Sequence, residues 1–226
     1  KEKVLKYYVN WTKKGEYNKN MISWNYQAPQ NTVKLFNKHA PNKDINILDA
    51  GCGSGLVGIE LQKYGYTKIT GADFSQEMLN LIPNKIYHQL ELIDLNEKLK
   101  YEDNFFDAIT CVGTFTYGHV KANALNELIR ILKKNGLICF TINEGIYKKY
   151  QFDLKIKKLS DDKLWNIIDI SKCSYIVNKD IEAAQIDIDF KTRLFGKYKN
   201  YIIPGFIAFV IVMFVSNVIS LTIASG

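Results

Sequence analysis

Two rhythms of apolar residues alternate along this chain: short unbroken apolar runs, and longer stretches with helical spacing. The segments Ile45–Ala50, Lys68–Asp73, His88–Asp94, Phe106–Val112 and Leu137–Ile142 read as strands. They are short and bounded by polar or turn-forming residues, the signature of strands covered on both faces. Between them Thr32–His39, Gly55–Tyr64, Ser75–Leu81 and Ala122–Leu132 read as helices. In the last of these Ala124, Leu125, Leu128, Ile129 and Leu132 recur at helical offsets on one face. Ser75 is a candidate N-cap, and Asn135–Gly136 turns the chain into the fifth strand. Trp165–Ile170 and Ala184–Phe190 read as two later strands. Such alternation predicts an α/β fold with a mainly parallel sheet and helices on both faces. Right-handed crossovers then gather the strand C-termini on one edge.

The ends depart from this rhythm. Residues 1–30 are rich in Tyr, Trp and Lys. They predict one or two short helices lying over a domain that spans 31–190, with Trp11, Tyr17 and Trp24 as candidate lid residues. At the other end 191–200 form a basic linker containing Lys191, Arg193, Lys197 and Lys199. Residues 201–226 follow, and Ile202–Ser225 carries no charged side chain. As a helix this run would be about 36 Å long, enough for a hydrocarbon core of about 30 Å. The basic residues before it match the positive-inside pattern. The pattern predicts a transmembrane anchor holding the domain on the cytoplasmic side. The other reading is a buried pair of β-branched strands in a soluble cytoplasmic protein. Residues 1–20 lack the apolar centre of a signal peptide, and the sequence opens on Lys1 rather than Met.

Composition and charge exclude several classes. With 226 residues, 47% hydrophobic and 23% charged, the chain has the makeup of a folded domain rather than a disordered one. The net charge of +7 is concentrated at the two ends, and residues 44–190 are mildly acidic. Among 30 basic residues only Arg130 and Arg193 are arginines. Base and phosphate recognition favours the planar guanidinium fork, so no nucleic-acid partner is expected. Cys52, Cys111, Cys139 and Cys173 form neither a CxxC pair nor a cluster with His, which predicts reduced thiols and no metal site.

The candidate chemistry centres on Ile47-Leu-Asp-Ala-Gly-Cys-Gly-Ser-Gly55, where a strand enters a glycine-rich turn and then a helix. Glycines let backbone N–H groups approach a ligand closely, and the helix start favours negative groups. Gly53-Ser-Gly-Leu-Val-Gly58 matches GxGxxG, which alone also suits a dinucleotide. Asp49, at the strand end, argues against that reading, because a carboxylate repels a pyrophosphate and tolerates a sulfonium with its α-amino group. Asp73 ends the second strand, where an acid can accept from both ribose hydroxyls. Asp94 ends the third and could accept from an adenine amino group. Phe74 and Met78 are placed to flank the base.

The string ILDAGCGSG resembles motif I of class I S-adenosylmethionine-dependent methyltransferases, and the resemblance runs from Tyr26 to about Tyr175. Cys111-Val-Gly-Thr-Phe-Thr-Tyr-Gly-His-Val120, with Ala28-Pro29-Gln30 upstream, is similar to the Williams–Beuren-region methyltransferase-like family. Ala124–Leu137, ALNELIRILKKNGL, is similar to that family's helix and turn before the fifth strand, with Lys-Asn-Gly where Pro-Gly-Gly is usual. The resemblance implies a Rossmann-like seven-strand sheet whose last strand is antiparallel. It implies S-adenosylmethionine as cofactor, bound by Asp49, Gly51, Gly53, Asp73 and Asp94, with Cys52, Gly55, Phe74, Met78, Leu95 and Val112 around it. An apolar C-terminal anchor is no part of the family pattern.

Methyl transfer asks chiefly for alignment of nucleophile, methyl carbon and sulfur, plus a base for the acceptor proton. Gly113–His119 follows the fourth strand. His119 is the candidate base; Thr114, Thr116 and Tyr117 are candidates for orienting a small-molecule methyl acceptor. The rival readings are a nicotinamide-dependent oxidoreductase and a membrane-tethered scaffold that binds the cofactor without turnover.

Overall fold

The computed structural model describes residues 2–13, 15–118, 120–174 and 207–214. The elements in chain order are α1 (Glu2–Lys13), α2 (Glu16–Ser23), α3 (Ala28–His39), β1 (Ile47–Ala50), α4 (Leu56–Lys63), β2 (Ile69–Asp73), α5 (Gln76–Leu79) and β3 (Gln89–Leu92). They continue with β4 (Phe106–Phe115), α6 (Ala124–Ile131), β5 (Leu132–Asn143), α7 (Glu144–Tyr147), α8 (Phe152–Asp161), β6 (Asn166–Ser174) and β7 (Ile207–Phe214). One sheet joins the strands in the order β3-β2-β1-β4-β5-β7-β6. Strands β3, β2, β1, β4 and β5 are mutually parallel, and β7 runs antiparallel to both β5 and β6.

Chain order reverses direction at β1, with β2 on one side and β4 on the other. In open α/β sheets such a switch point opens a crevice beyond the strand C-termini. The four residues of β1 are all buried, as are the five of β2, so helices cover both faces. One core layer contains Leu125 and Leu128 of α6 against Phe106, Ile109, Phe140 and Trp165. The other sets Val33 and Phe36 of α3 and Leu61 of α4 against Ile47, Ile69 and Tyr66. Burying each large aliphatic side chain contributes about 2 kcal/mol. Arg130 fixes α6 to the segment before β4: its guanidinium donates to the Leu99 and Tyr101 carbonyls and to Glu127 and Asp103.

The C-terminal apolar run is a correction to the sequence reading. Ile207–Phe214 is a strand, paired with β5 from Leu137↔Phe214 to Asn143↔Ala208 and with β6 on its other side. Among the described residues no helix is long and apolar enough to cross a membrane. An unbroken apolar run suits a strand of a sheet covered on both faces as well as it suits a spanning helix, so the run alone does not tell the two apart. The expected strand Ala184–Phe190 and the linker 191–200 lie outside the described residues.

Elsewhere the differences are local. Helix α3 starts at Ala28 with Pro29 in its first turn, where the missing N–H costs nothing. Strand β4 continues to Phe115, three residues past the expected end. Strand β5 begins at Leu132, pairs with Phe106, slips, and resumes at Leu137↔Ala108. Asn135, with φ 62°, makes the bend between the two registers.

Candidate active site

The loop after β1 is held from below. Gly51 and Cys52 N–H both donate to the Ala72 carbonyl of β2, at 2.7 and 2.9 Å. Gly53 N–H donates to Asp73 Oδ2 at 2.9 Å, and Gly55 N–H to the Cys52 carbonyl at 2.9 Å. Gly51 has φ 77° and Gly53 φ 53°, conformations in which a side chain is strained. Space is also restricted: a Cβ on Gly51 would sit 2.2 Å from Thr114 Oγ1, and one on Gly53 3.2 Å from Met78 Cε. The loop after β1 and the end of β4 therefore approach closely only because position 51 has no side chain.

Beyond this loop lies a cavity of about 340 Å³ at the C-terminal edge of the sheet, within the size range of cofactor clefts. Its walls include Gly51, Gly53, Asp73, Phe74 and Met78, and then Asp94, Leu95 and Thr114. Sequence reasoning therefore names residues from four separate chain segments that the fold brings together. Asp73 is 7% exposed. Its second oxygen accepts from Ser75 N–H at 2.9 Å, and burial raises its pKa against these hydrogen bonds. Ser75 caps α5 by accepting from Met78 N–H at 3.3 Å. Asp94 stands two residues past β3, in an Asx turn that accepts from Asn96 N–H at 3.0 Å.

Other expected residues lie behind the wall. Asp49 is 0% exposed. Its carboxylate accepts from Tyr87 Oη at 2.6 Å and from Thr110 Oγ1 at 3.0 Å. Burial outweighs these donors and pushes its pKa up to about 7. Tyr87 also accepts from Gly58 N–H at 3.2 Å. Its ring fills the space that side chains would need at Gly58 and Gly71. Cys52 is buried and its thiol is held well above the usual range by that burial. Gly55 packs on Ile82 and Tyr87, and Val112 belongs to the core. Neither Thr116 nor Tyr117 reaches the cavity; the Tyr117 ring meets Tyr150 at 6.1 Å, edge to face. His119 lies outside the described residues, between Gly118 and Val120, which both line the cavity.

The sequence reading did not single out Tyr8, Ile93, Asn96, Glu97 or Lys121, all in the cavity wall. Asn96 and Glu97 follow Asp94 directly, so the turn after β3 was the available signal. Tyr8 and Tyr17 come from α1 and α2 and cover the opening with Val4. The cover is a chain of rings: Tyr17 and Trp11 at 4.7 Å, Trp11 and Trp24 at 5.9 Å, and Tyr8 and Phe74 at 6.1 Å.

Comparison with known proteins gives this geometry a family. Residues 47–136 match the model of the methyltransferase domain. Human methyltransferase-like protein 27 is 30% identical over 168 residues, covering 71% of this chain and 67% of that protein. Against other curated methyltransferases the match covers about half of their length. Among solved structures, the methyltransferase captured with the Haloferax volcanii Trm112 activator superposes with a TM-score of 0.62. The two share 16% identity, with 93% of this chain and 98% of that one covered. The magnesium protoporphyrin IX methyltransferase of Synechocystis, solved with bound S-adenosylmethionine, gives 0.59 at 14% identity, covering 88% and 83%. These matches lend no support to the nicotinamide or the non-catalytic scaffold reading. The glycine cradle and the acid-lined cavity suit the sulfonium cofactor, and the chain belongs to the class I S-adenosylmethionine-dependent methyltransferases.

Proposed function

We propose that this methyltransferase acts on a small-molecule acceptor, and that α1 and α2 close over the reacting groups. The observation that carries this reading is the covered cavity: Tyr8 and Tyr17 lie across the edge where the end of β4 presents Thr114 and the loop after it Gly118. A reacting edge roofed by two helices suits a compact acceptor better than a polypeptide or a nucleic acid.

S-adenosylmethionine, when bound, supplies an electrophilic methyl carbon on a leaving thioether. The chain's own residues hold and align. In this reading Asp73 takes the ribose hydroxyls, which sets them beside the Gly53 N–H it already accepts. Asp94 and the Leu95 side of the cavity take the adenine, with Phe74 and Met78 against its faces. The 51–55 loop, with its Gly51, Cys52, Gly53 and Gly55 N–H groups already engaged within the chain, lies against the amino-acid end. Asp49, behind the loop, acts as a buried partial charge and not as a direct contact. Thr114 is fixed by its own hydrogen bond to the Ala50 carbonyl at 3.3 Å, and so steadies the loop it touches. The base role belongs to His119, whose chain neighbours line the cavity. It would take the proton released as the acceptor forms its new bond to carbon. A His119→Ala variant should turn over about a hundredfold more slowly with unchanged affinity for S-adenosylhomocysteine.

The test of the acceptor class is incubation of the full chain with methyl-tritiated S-adenosylmethionine and a cell extract split into metabolite, protein and RNA fractions. Label should appear in the metabolite fraction, dependent on Asp73. Label confined to protein or RNA would overturn the reading.

A further inference from the structure

Two recesses share the wall formed by Gly118, Val120 and Lys121, and they differ in charge. The cofactor cavity is lined by Asp73, Asp94 and Glu97, with Lys121 as its basic residue. That sign suits a ligand of net positive charge. The second recess, of about 730 Å³, is lined by Lys121, Lys155 and Lys158, and its lining residues include neither Asp nor Glu.

The second recess is built by α8 and the segment after β4. Lys155 and Lys158 are three residues apart, hence on one helix face. Lys157 is off that lining and pairs with Asp161 at 2.6 Å. Lys155 Nζ donates to the neutral amide oxygen of Asn126 at 2.6 Å. Lys158 meets Asp162 at 2.9 Å, a solvent-exposed pair of small energetic consequence. Burial, and then the neighbouring Lys158 ammonium, lower the pKa of Lys155. Ammonium groups gathered on one wall repel each other, and an anion between them relieves that repulsion. The remaining lining is partly apolar, with Val120, Ala122, Tyr150 and Leu154, and Leu154 is 61% exposed at its edge.

We propose, resting on the methyltransferase reading above, that this recess holds the methyl acceptor and selects one bearing a carboxylate or phosphate on a compact apolar body. Lys155 and Lys158 hold the anionic group and Lys121, common to both chambers, draws it toward the shared wall. An amine of the same shape meets three ammonium groups and is turned away. The opposite charges of the two chambers thus sort the two ligands before either is aligned.

The experiment is calorimetric titration of the full chain, saturated with S-adenosylhomocysteine, with benzoate, phenyl phosphate, benzyl alcohol and benzylamine. At least one anion should bind about fivefold or more tighter than the alcohol, with the amine weakest, and the paired variant Lys155→Gln/Lys158→Gln should lose about tenfold in anion affinity. The ratio of benzoate to phenyl phosphate says which anion the recess prefers. Equal binding of alcohol and anions, or a paired variant that binds the anions as the parent does, overturns the proposal. The S-adenosylhomocysteine titration of parent and variant is read separately. Normal binding there with no anion preference sinks the acceptor inference alone. No binding there sinks the cofactor reading, and the anion titration of the unliganded chain still tests the recess.

Discussion

The Asp73 carboxylate accepts the Gly53 N–H at 2.9 Å, joining the end of β2 to the loop that leaves β1. With its other oxygen on Ser75 N–H, one side chain orders both turns that border the cofactor cavity. Its position is set by the covalent ends of two parallel neighbours, Ala50↔Ala72 being their last paired residues before the loop.

Replacing Asp73 with Ala should therefore cost binding twice, through the lost ligand contact and the released loop. We expect affinity for S-adenosylmethionine and its demethylated product to fall about a hundredfold, the loss of two charge-assisted hydrogen bonds. Calorimetric titration checks this. A variant that binds either ligand like the parent removes Asp73 from the site.

Gly51→Ala places a methyl group 2.2 Å from Thr114 Oγ1 at a φ of 77°. The expected cost is about 2–4 kcal/mol, from combined overlap and backbone strain. Thermal and denaturant unfolding measure it. Adding Thr114→Ala should recover the overlap part and leave the conformational part, so the double variant should fall between the parent and Gly51→Ala.

The Asp49–Tyr87 pair gives a pH dependence with a definite sign. Asp49 has a folded-state pKa raised to about 7. Its contribution to stability is thus full below the ordinary carboxylate pKa and is lost as pH rises through about 7. Tyr87 lowers that pKa by donating to the carboxylate. Tyr87→Phe should therefore cost more at pH 8, where the ionised form needs its donor, than at pH 5. The scale is about 1–3 kcal/mol, for one lost partner of a buried charged group plus an unpaired Gly58 N–H. Denaturant unfolding at both pH values decides. Equal costs at both would mean the carboxylate does not titrate in this range.

The rings of α1 and α2 offer an optical readout. Trp11 packs edge to face with Tyr17 in the cluster that covers the cavity. Ligand binding should change tryptophan fluorescence, and Trp11→Phe should remove most of that change with less than about a threefold effect on affinity, because Trp11 itself is not in the wall. Tyr17→Ala, which opens the wall, should weaken binding by about tenfold. A fluorescence change that survives Trp11→Phe would place the responding indole elsewhere.

The alternating part of the fold was legible because parallel strands buried on both faces leave short apolar runs with helical stretches between them. The glycine turn after Ile47 and the acids at 73 and 94 were legible for the same reason: their spacing follows from strand and crossover lengths. Tyr87 was not, because it reaches Asp49 from 38 residues away, and no local pattern marks a residue that packs on Gly58 and Gly71. The full burial of Asp49 was not legible, because spacing locates a residue along a strand and cannot say whether it faces ligand or core. The run Ile202–Ser225, which contains Ile207–Phe214, reads as membrane-spanning because a continuous apolar stretch has no alternation by which to tell a strand from an apolar helix. Lys155 and Lys158 had no sequence signal beyond charge, being two of many lysines; the recess they line exists only once α8 is docked.

The slot that β7 fills also sets an order of assembly. Among the described residues β6 joins the sheet through β7, so β6 lacks that strand partner until residues 207–214 have emerged. Until then the flank of β5 is an open parallel edge rich in Ile and Phe, the kind of surface that recruits other chains. Chaperone demand during translation, and the fate of prematurely terminated chains, should therefore depend on this late-arriving stretch, which is no part of the cavity wall.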